Sequence, residues 1–402
     1  MTDATAPIAA APRATPAQVS NPARDLRLDF YRGLAMFIIL IAHTPGNVWA
    51  LWIPARFGFS DATEIFVFCS GMASAIAFGR VYSRQGWAMG TARVAFRVWQ
   101  VYWAHIGVFL AIVAAMVALN DLELTSRNYV SQLNLWPFLG TERLETGANL
   151  VGLMTLTYVP NYFDILPMYL VVLAMMPVAM GLARITPWLA LAAVAVVWAG
   201  AQADILWLPA EPWSDREWFF NPFGWQLVFF TGFAFMLGWL PRPPVTWPLI
   251  ALALAVVVLT VPVAWYRLHQ EVALFADMRE VLSPLIGKTD FGFLRHVHFL
   301  ALAYLAWVVA GEGGARLVAQ GPSIPARLAR LVLTLILKVG QQSLAVFVVS
   351  MLLARLMGFA LDYLGRSAGT VTAINLTGFA VLIGVAYGAG WFKTHPWRQK
   401  TG

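Results

Sequence analysis

The residues best suited to chemistry lie where an apolar chain would not carry them without a reason. The segment Leu28-Asp29-Phe30-Tyr31-Arg32-Gly33-Leu34-Ala35-Met36-Phe37-Ile38-Ile39-Leu40-Ile41-Ala42-His43-Thr44-Pro45 is apolar around an acid, an arginine and a histidine. At about 3.6 residues per turn, the step from Arg32 to His43 is close to three turns, so both face the same way about 16 Å apart along the axis. Asp29, one turn before Arg32, joins that face. An arginine near the middle of a membrane helix costs about 2.5–3.5 kcal/mol on insertion scales, so Arg32 should face a partner or a wet cavity, with Asp29 the nearest candidate. Pro45 should end or kink the helix just past His43 and open the packing there. A neutral imidazole at that point can take a proton from an attacking alcohol and return it to a leaving thiolate. It can also simply hydrogen-bond a neighbouring helix.

A second group begins Ser60-Asp61-Ala62-Thr63-Glu64, ahead of the run Ile65 to Met72. Asp61 and Glu64 are three apart at a helix start, near where a hairpin would bring His43. Glu64 can orient the imidazole as the third member of a triad does, or both acids can simply complement the helix dipole. Ser70-Gly71 makes a small patch for close helix packing, and Cys69 packs as a small hydrophobe. Further polar groups recur at membrane level: Asn161-Tyr162-Phe163-Asp164, His296 and His298, and Lys338 to Ser343. Asp164 reads as a cap or as a substrate ligand, while His298 and Gln341 are the better functional choices. Nothing has metal-ligand spacing, and there is no GxSxG, P-loop or dinucleotide fingerprint, so no metal is expected.

The elements that position these residues follow from composition. Of 402 residues, 60% are hydrophobic and only 12% charged, with mean hydropathy +0.68, too apolar for a soluble core of that size. Apolar stretches near 28–50, 62–80, 94–118, 163–183, 187–204, 222–240, 246–265, 297–312, 331–357 and 372–392 predict an all-α, polytopic integral membrane bundle of about ten transmembrane helices. Residues 1–22, rich in Ala, Pro and Thr, read as a disordered cytoplasmic tail, 23–393 as the membrane domain and 394–402 as a cytoplasmic C-terminal tail. Arg24, Arg27, Arg80, Arg84, Arg93, Arg97, Arg184, Arg242, Lys393, Arg398 and Lys400 fall in loops that the positive-inside rule makes cytoplasmic, both termini included. Acids such as Glu142, Glu145, Asp204, Glu211 and Asp290 fall in the opposite loops. Those loops, roughly 119–162, 205–221 and 266–296, also carry aromatics that suit stacking on sugar or an interfacial belt. The net charge of +7 sits at helix ends instead of in one patch, so no nucleic-acid partner is expected, whereas membrane lipids are. One cysteine excludes an intrachain disulfide. Nothing in the pattern speaks to oligomeric state.

Asp29-x-x-Arg32-Gly33 with the Arg-to-His spacing resembles the acyltransferase-3 superfamily. More narrowly, the segments Asp61 to Gly71, Phe163-Asp164-Ile165-Leu166-Pro167-Met168-Tyr169 and Gly340-Gln341-Gln342-Ser343-Leu344-Ala345-Val346-Phe347 are similar to the OpgC family across most of the membrane domain. The resemblance implies an O-succinyltransferase of the bacterial inner membrane. Its acceptor would be osmoregulated periplasmic glucan, its co-substrate succinyl-CoA, with no other cofactor. By it His43 is the catalytic base, and Glu64 or Asp164 supports the base or binds acceptor sugar. Arg32 faces the acyl-CoA, grouped with Asp29, His298 and Gln341, while Asp61, Asp164, Asn161 and Tyr162 are placed toward the glucan. Gln341-Gln342 stands where the family pattern carries a basic residue, a departure that touches the donor side. A transporter or flippase for a sugar or lipid-linked intermediate is the alternative, using the same buried charges for binding and proton coupling.

Overall fold

Polar caps and helix-breaking residues divide the apolar runs. The computed structural model describes residues 25–139 and 146–397. The tail 1–22, Arg24, Glu142, Glu145, Arg398 and Lys400 lie outside the described residues. Helix α1 (Leu26–His43) starts at Asp25, whose Oδ1 accepts from the Arg27 amide at 3.0 Å. It stops at Thr44, whose hydroxyl donates to the Leu40 carbonyl at 2.8 Å, so the helix ends beside Pro45 and not near residue 50. Helix α2 (Ala62–Ser74) opens with a capping box: Asp61 Oδ1 accepts from the Thr63 amide at 2.6 Å, and the Asp61 amide donates to Glu64 Oε2 at 2.8 Å. A wide π turn at Ala75–Gly79 then leads without a loop into α3 (Arg80–Asp121), broken only by Gly86 at φ 84°. The stretches 62–80 and 94–118 are therefore one helical run. Next come α4 (Ile165–Ala183), α5 (Pro187–Gln202), α6 (Pro222–Leu237), α7 (Trp247–Ala264) and α8 (Phe293–Ala310). The chain closes with α9 (Ile324–Gln341), α10 (Ser343–Leu364) and α11 (Ala368–Lys393). Gln342, at φ −112° and ψ 29°, breaks the predicted span 331–357 in two.

Among the described residues the architecture is all-helical, and six helical runs are long and apolar enough to cross a membrane: Ala62–Asp121, α4, α7, α8, α10 and α11. The others fall outside that group for visible reasons. Helices α5 and α6 have 16 residues each, while α1 holds Arg27, Asp29 and Arg32 and α9 holds Arg327, Arg330 and Lys338. On α7, Leu252, Leu254, Val258 and Leu259 are all exposed, an outward apolar face that suits lipid and not water. The chain is a membrane protein.

Lipid tails are as apolar as leucine, so helices in a bilayer associate through close packing and not through hydrophobic burial. Two glycine pairs supply it. Helix α1 packs along α9, where Gly33 lies on the Ile336 carbonyl and Gly340 on the Asp29 carbonyl. Helix α2 packs along α6 in the same reciprocal way, Gly71 against the Phe229 carbonyl and Gly232 against that of Phe68. These contacts are backbone on backbone and cannot yield by a rotamer change. Gly71→Ala and Gly340→Ala should each destabilise the purified protein by about 1–3 kcal/mol. Gly388→Ala, where a Cβ meets nothing within 4 Å, should be neutral. Thermal unfolding in detergent checks this, and equal losses at all three positions would contradict it.

Candidate functional site

The last turn of α1 turns the His43 ring back onto its own backbone. His43 Nδ1 lies 2.8 Å from the Ile39 carbonyl. A carbonyl only accepts, so Nδ1 carries the proton and donates it, leaving the lone pair on Nε2. The side chain is exposed and lines a cavity of about 400 Å³. Asn161, Tyr162 and Asp164 line the same cavity, so four of the residues singled out in the sequence meet there. Ile39, Phe66, Phe219, Phe220 and Phe347 make most of its remaining wall apolar.

Tyr162 sits edge-on to the imidazole, ring centroids 5.4 Å apart. Its hydroxyl donates to the Met351 carbonyl at 2.6 Å, and its φ of 87° is a strained value for a non-glycine residue. Arg355 covers the ring's other side, Cζ 3.8 Å from the centroid. Among the described residues no carboxylate pairs with Arg355, and its Nε is buried without a hydrogen-bond partner. Asn161 accepts from Arg216 at 3.1 Å, and Arg216 also donates to the Val159 carbonyl at 2.7 Å and to Glu211 at 3.1 Å. That guanidinium clamps the loop before α6 onto the start of α4. Asp164, buried just ahead of α4, accepts from the Phe219 amide at 3.1 Å.

The other sequence candidates lie elsewhere. Glu64 does not reach the imidazole: Oε1 accepts from Arg295 at 2.8 Å and Oε2 caps the Asp61 amide. The Ile39 carbonyl orients His43 in its place. Asp61 Oδ2 accepts from Lys288 at 2.5 Å and Oδ1 from the Thr63 amide. Burial would raise the Asp61 carboxyl, but Lys288, with hydrogen bonds from Thr63 and Glu64 behind it, holds it well below the usual carboxylate range. Three helical turns from His43, Arg32 donates to Ser343 at the start of α10, with its Nε buried and unpartnered. Asp29 is buried near that end, and Gln341 is half-buried at the last residue of α9. His298, grouped with Arg32 in the sequence, belongs instead to the other end: its Nδ1 contacts the Ser60 hydroxyl at 2.7 Å, just before α2.

Lys288, Arg295 and Arg355 were not among the sequence candidates, yet they supply the cations around the site. Arg355 carries a readable signal, the one charge in the apolar stretch 343–361, the same kind of feature that marks Arg32. Lys288 and Arg295 precede or open α8, where loop charges read as topology and not as chemistry.

The family model described as OpgC protein matches residues 24–394. The chain belongs to the OpgC family. Membership implies an acyltransferase. No curated protein and no solved structure matches the chain.

Asp164 gives this site a measurable pH signature. Burial lifts its carboxyl from 3.8 to about 6, against the opposing pull of the Phe219 amide and Arg216. The folded state thus holds the proton more tightly than the unfolded state. The resulting stability is full below about pH 4 and is lost as pH rises through about 6, on the order of 2–3 kcal/mol in all. Asp164→Asn does not titrate, so melting temperatures of wild type and variant should diverge between pH 4 and 6. A gap that stays constant over that range would refute the assignment.

Proposed function

We propose that this OpgC-family chain is an O-succinyltransferase of a bacterial inner membrane, moving a succinyl group from cytoplasmic succinyl-CoA to hydroxyls of periplasmic glucan. The observation that carries the reading is His43, with Nδ1 committed to the Ile39 carbonyl and the ring exposed in a cavity that also holds Asn161, Tyr162 and Asp164. An imidazole fixed in one tautomer beside several polar groups is what general-base catalysis of alcohol attack requires. The sugar oxygen attacks the thioester carbonyl while Nε2 takes its proton. As the carbon–sulfur bond breaks, the proton passes to the thiolate, leaving a succinyl ester and free CoA. Asn161 and Asp164 accept sugar hydrogen bonds, and Phe219 and Phe220 offer faces to its CH groups.

On this reading the membrane is crossed about ten times. The run Ala62–Asp121 crosses twice, turning near Gly86, while α1, α5 and α6 join the other five apolar helices. Helix α9, with its three charges, lies at the cytoplasmic end. Both termini are then cytoplasmic, Arg32 and Gln341 face the donor side, and His43 faces the periplasm. The acyl arm has to pass Phe66 and Phe347, stacked 5.5 Å apart at the cavity wall, one helical turn beyond Ser343.

Purified protein given succinyl-CoA and glucan should release free CoA, whereas a carrier releases none. His43→Ala should lower that release by about 10²–10⁴-fold while eluting like wild type. A His43→Ala protein with the wild-type rate would remove the base.

A further inference from the structure

The segment Gly287 to Gly292 between α7 and α8 is held more firmly than a connecting loop needs. Four consecutive carbonyls accept hydrogen bonds: Lys288 from Trp225 Nε1 at 2.8 Å, Thr289 from the Asn221 amide at 3.0 Å, Asp290 from Gln202 at 2.6 Å and Phe291 from Trp198 at 2.9 Å. The Gly292 amide closes the loop onto the Gly287 carbonyl at 3.0 Å, and Phe291 is fully buried at φ 58°, a strained value for its type. None of these contacts uses the Lys288 side chain. Together they hold the base of that side chain still while the ammonium enters the wall of the His43 cavity.

The ammonium has three N–H donors. Among the described residues one goes to Asp61 at 2.5 Å, and the Phe220 ring lies 5.5 Å away. Both Asp61 oxygens are engaged, Oδ2 by Lys288 and Oδ1 by the Thr63 amide. The pair with Asp61 engages only one of the three N–H groups, so it does not exhaust the ammonium. A cation facing a largely apolar chamber selects for a negative charge entering that chamber.

We propose that Lys288 binds the free carboxylate of a dicarboxylic acyl group, making it the residue by which this site takes a charged four-carbon donor over a neutral one of equal length. This rests on the reading of His43 as the base of acyl transfer. With the thioester carbon beside His43 Nε2, the far carboxylate of an extended four-carbon chain reaches the cavity wall, where it accepts from the two N–H groups that Asp61 leaves unused.

The test is the ratio of kcat/KM for succinyl-CoA to that for butyryl-CoA, read from free thiol released by the full-length purified protein with glucan as acceptor. Wild type should favour succinyl-CoA. Lys288→Met should reduce the ratio about a hundredfold, the size of one lost charge-assisted hydrogen bond, and Lys288→Arg should recover part of it. Because Lys288→Met strands the Asp61 carboxylate, Lys288→Met with Asp61→Asn is measured alongside and should show the same collapse. An unchanged ratio in both variants, or a wild type that treats the two donors alike, overturns the proposal. So does a ratio moved by Arg355→Met and not by Lys288→Met, which gives the carboxylate to the guanidinium behind Tyr162. Loss of the His43 reading is separately visible, as undiminished CoA release from His43→Ala with either donor.

Discussion

One hydrogen bond determines which nitrogen of the only histidine in the cavity is available. By donating Nδ1–H to the Ile39 carbonyl, His43 fixes its tautomer without a carboxylate. The acceptor is local, one turn back on the same helix, so the tautomer is set within α1 itself, just before the Thr44 amide closes the helix on the Leu40 and Ile41 carbonyls. Pro45 has no N–H to continue the ladder, so α1 ends just past His43. The familiar arrangement of a carboxylate behind the imidazole is replaced by a backbone carbonyl of the same helix.

The cavity and the Arg32 end of α1 are joined by α10. Its first residue receives Arg32, Phe347 one turn later forms cavity wall, the Met351 carbonyl holds the Tyr162 hydroxyl, and Arg355 covers the Tyr162 ring. A single helix therefore touches every level of the polar face of α1. The break at Gln342 makes this geometry possible. Helix α9 must lie on the α1 backbone at Gly340, and α10 then starts afresh on its own course instead of continuing α9.

Helical period made α1 legible from residue types alone, and with it the shared face of Arg32 and His43 and the stop beside Pro45. Asn161, Tyr162 and Asp164 were legible because polar residues at membrane level have few reasons to be there. The break at Gln342 was not, because glutamine is a fair helix former and the cause is a backbone contact with a distant helix. The joining of α2 to α3 was hidden for the opposite reason: a π turn at Ala75–Gly79 has no proline or polar cluster to announce it. Glu64 was misplaced because helix start signals and triad signals use the same residue types. The capping box takes one of its oxygens and Arg295 the other.

The capping box also explains why Lys288 and Arg295 stand side by side near His43. It binds Asp61 and Glu64 to each other through backbone and side chain, fixing two carboxylates three residues apart at a half-buried helix start. Left unpaired, such charges repel and resist burial. Lys288 and Arg295, seven residues apart across the start of α8, take one each. This pairing ties the start of α2 to the start of α8 and closes the cavity wall at Lys288. The two partners differ in what remains for a ligand: Arg295 also donates to the Ile286 carbonyl and is turned away from the cavity lining, whereas Lys288 stands in it. Two ion pairs alike in chemistry thus divide into one that closes the wall and one that equips it.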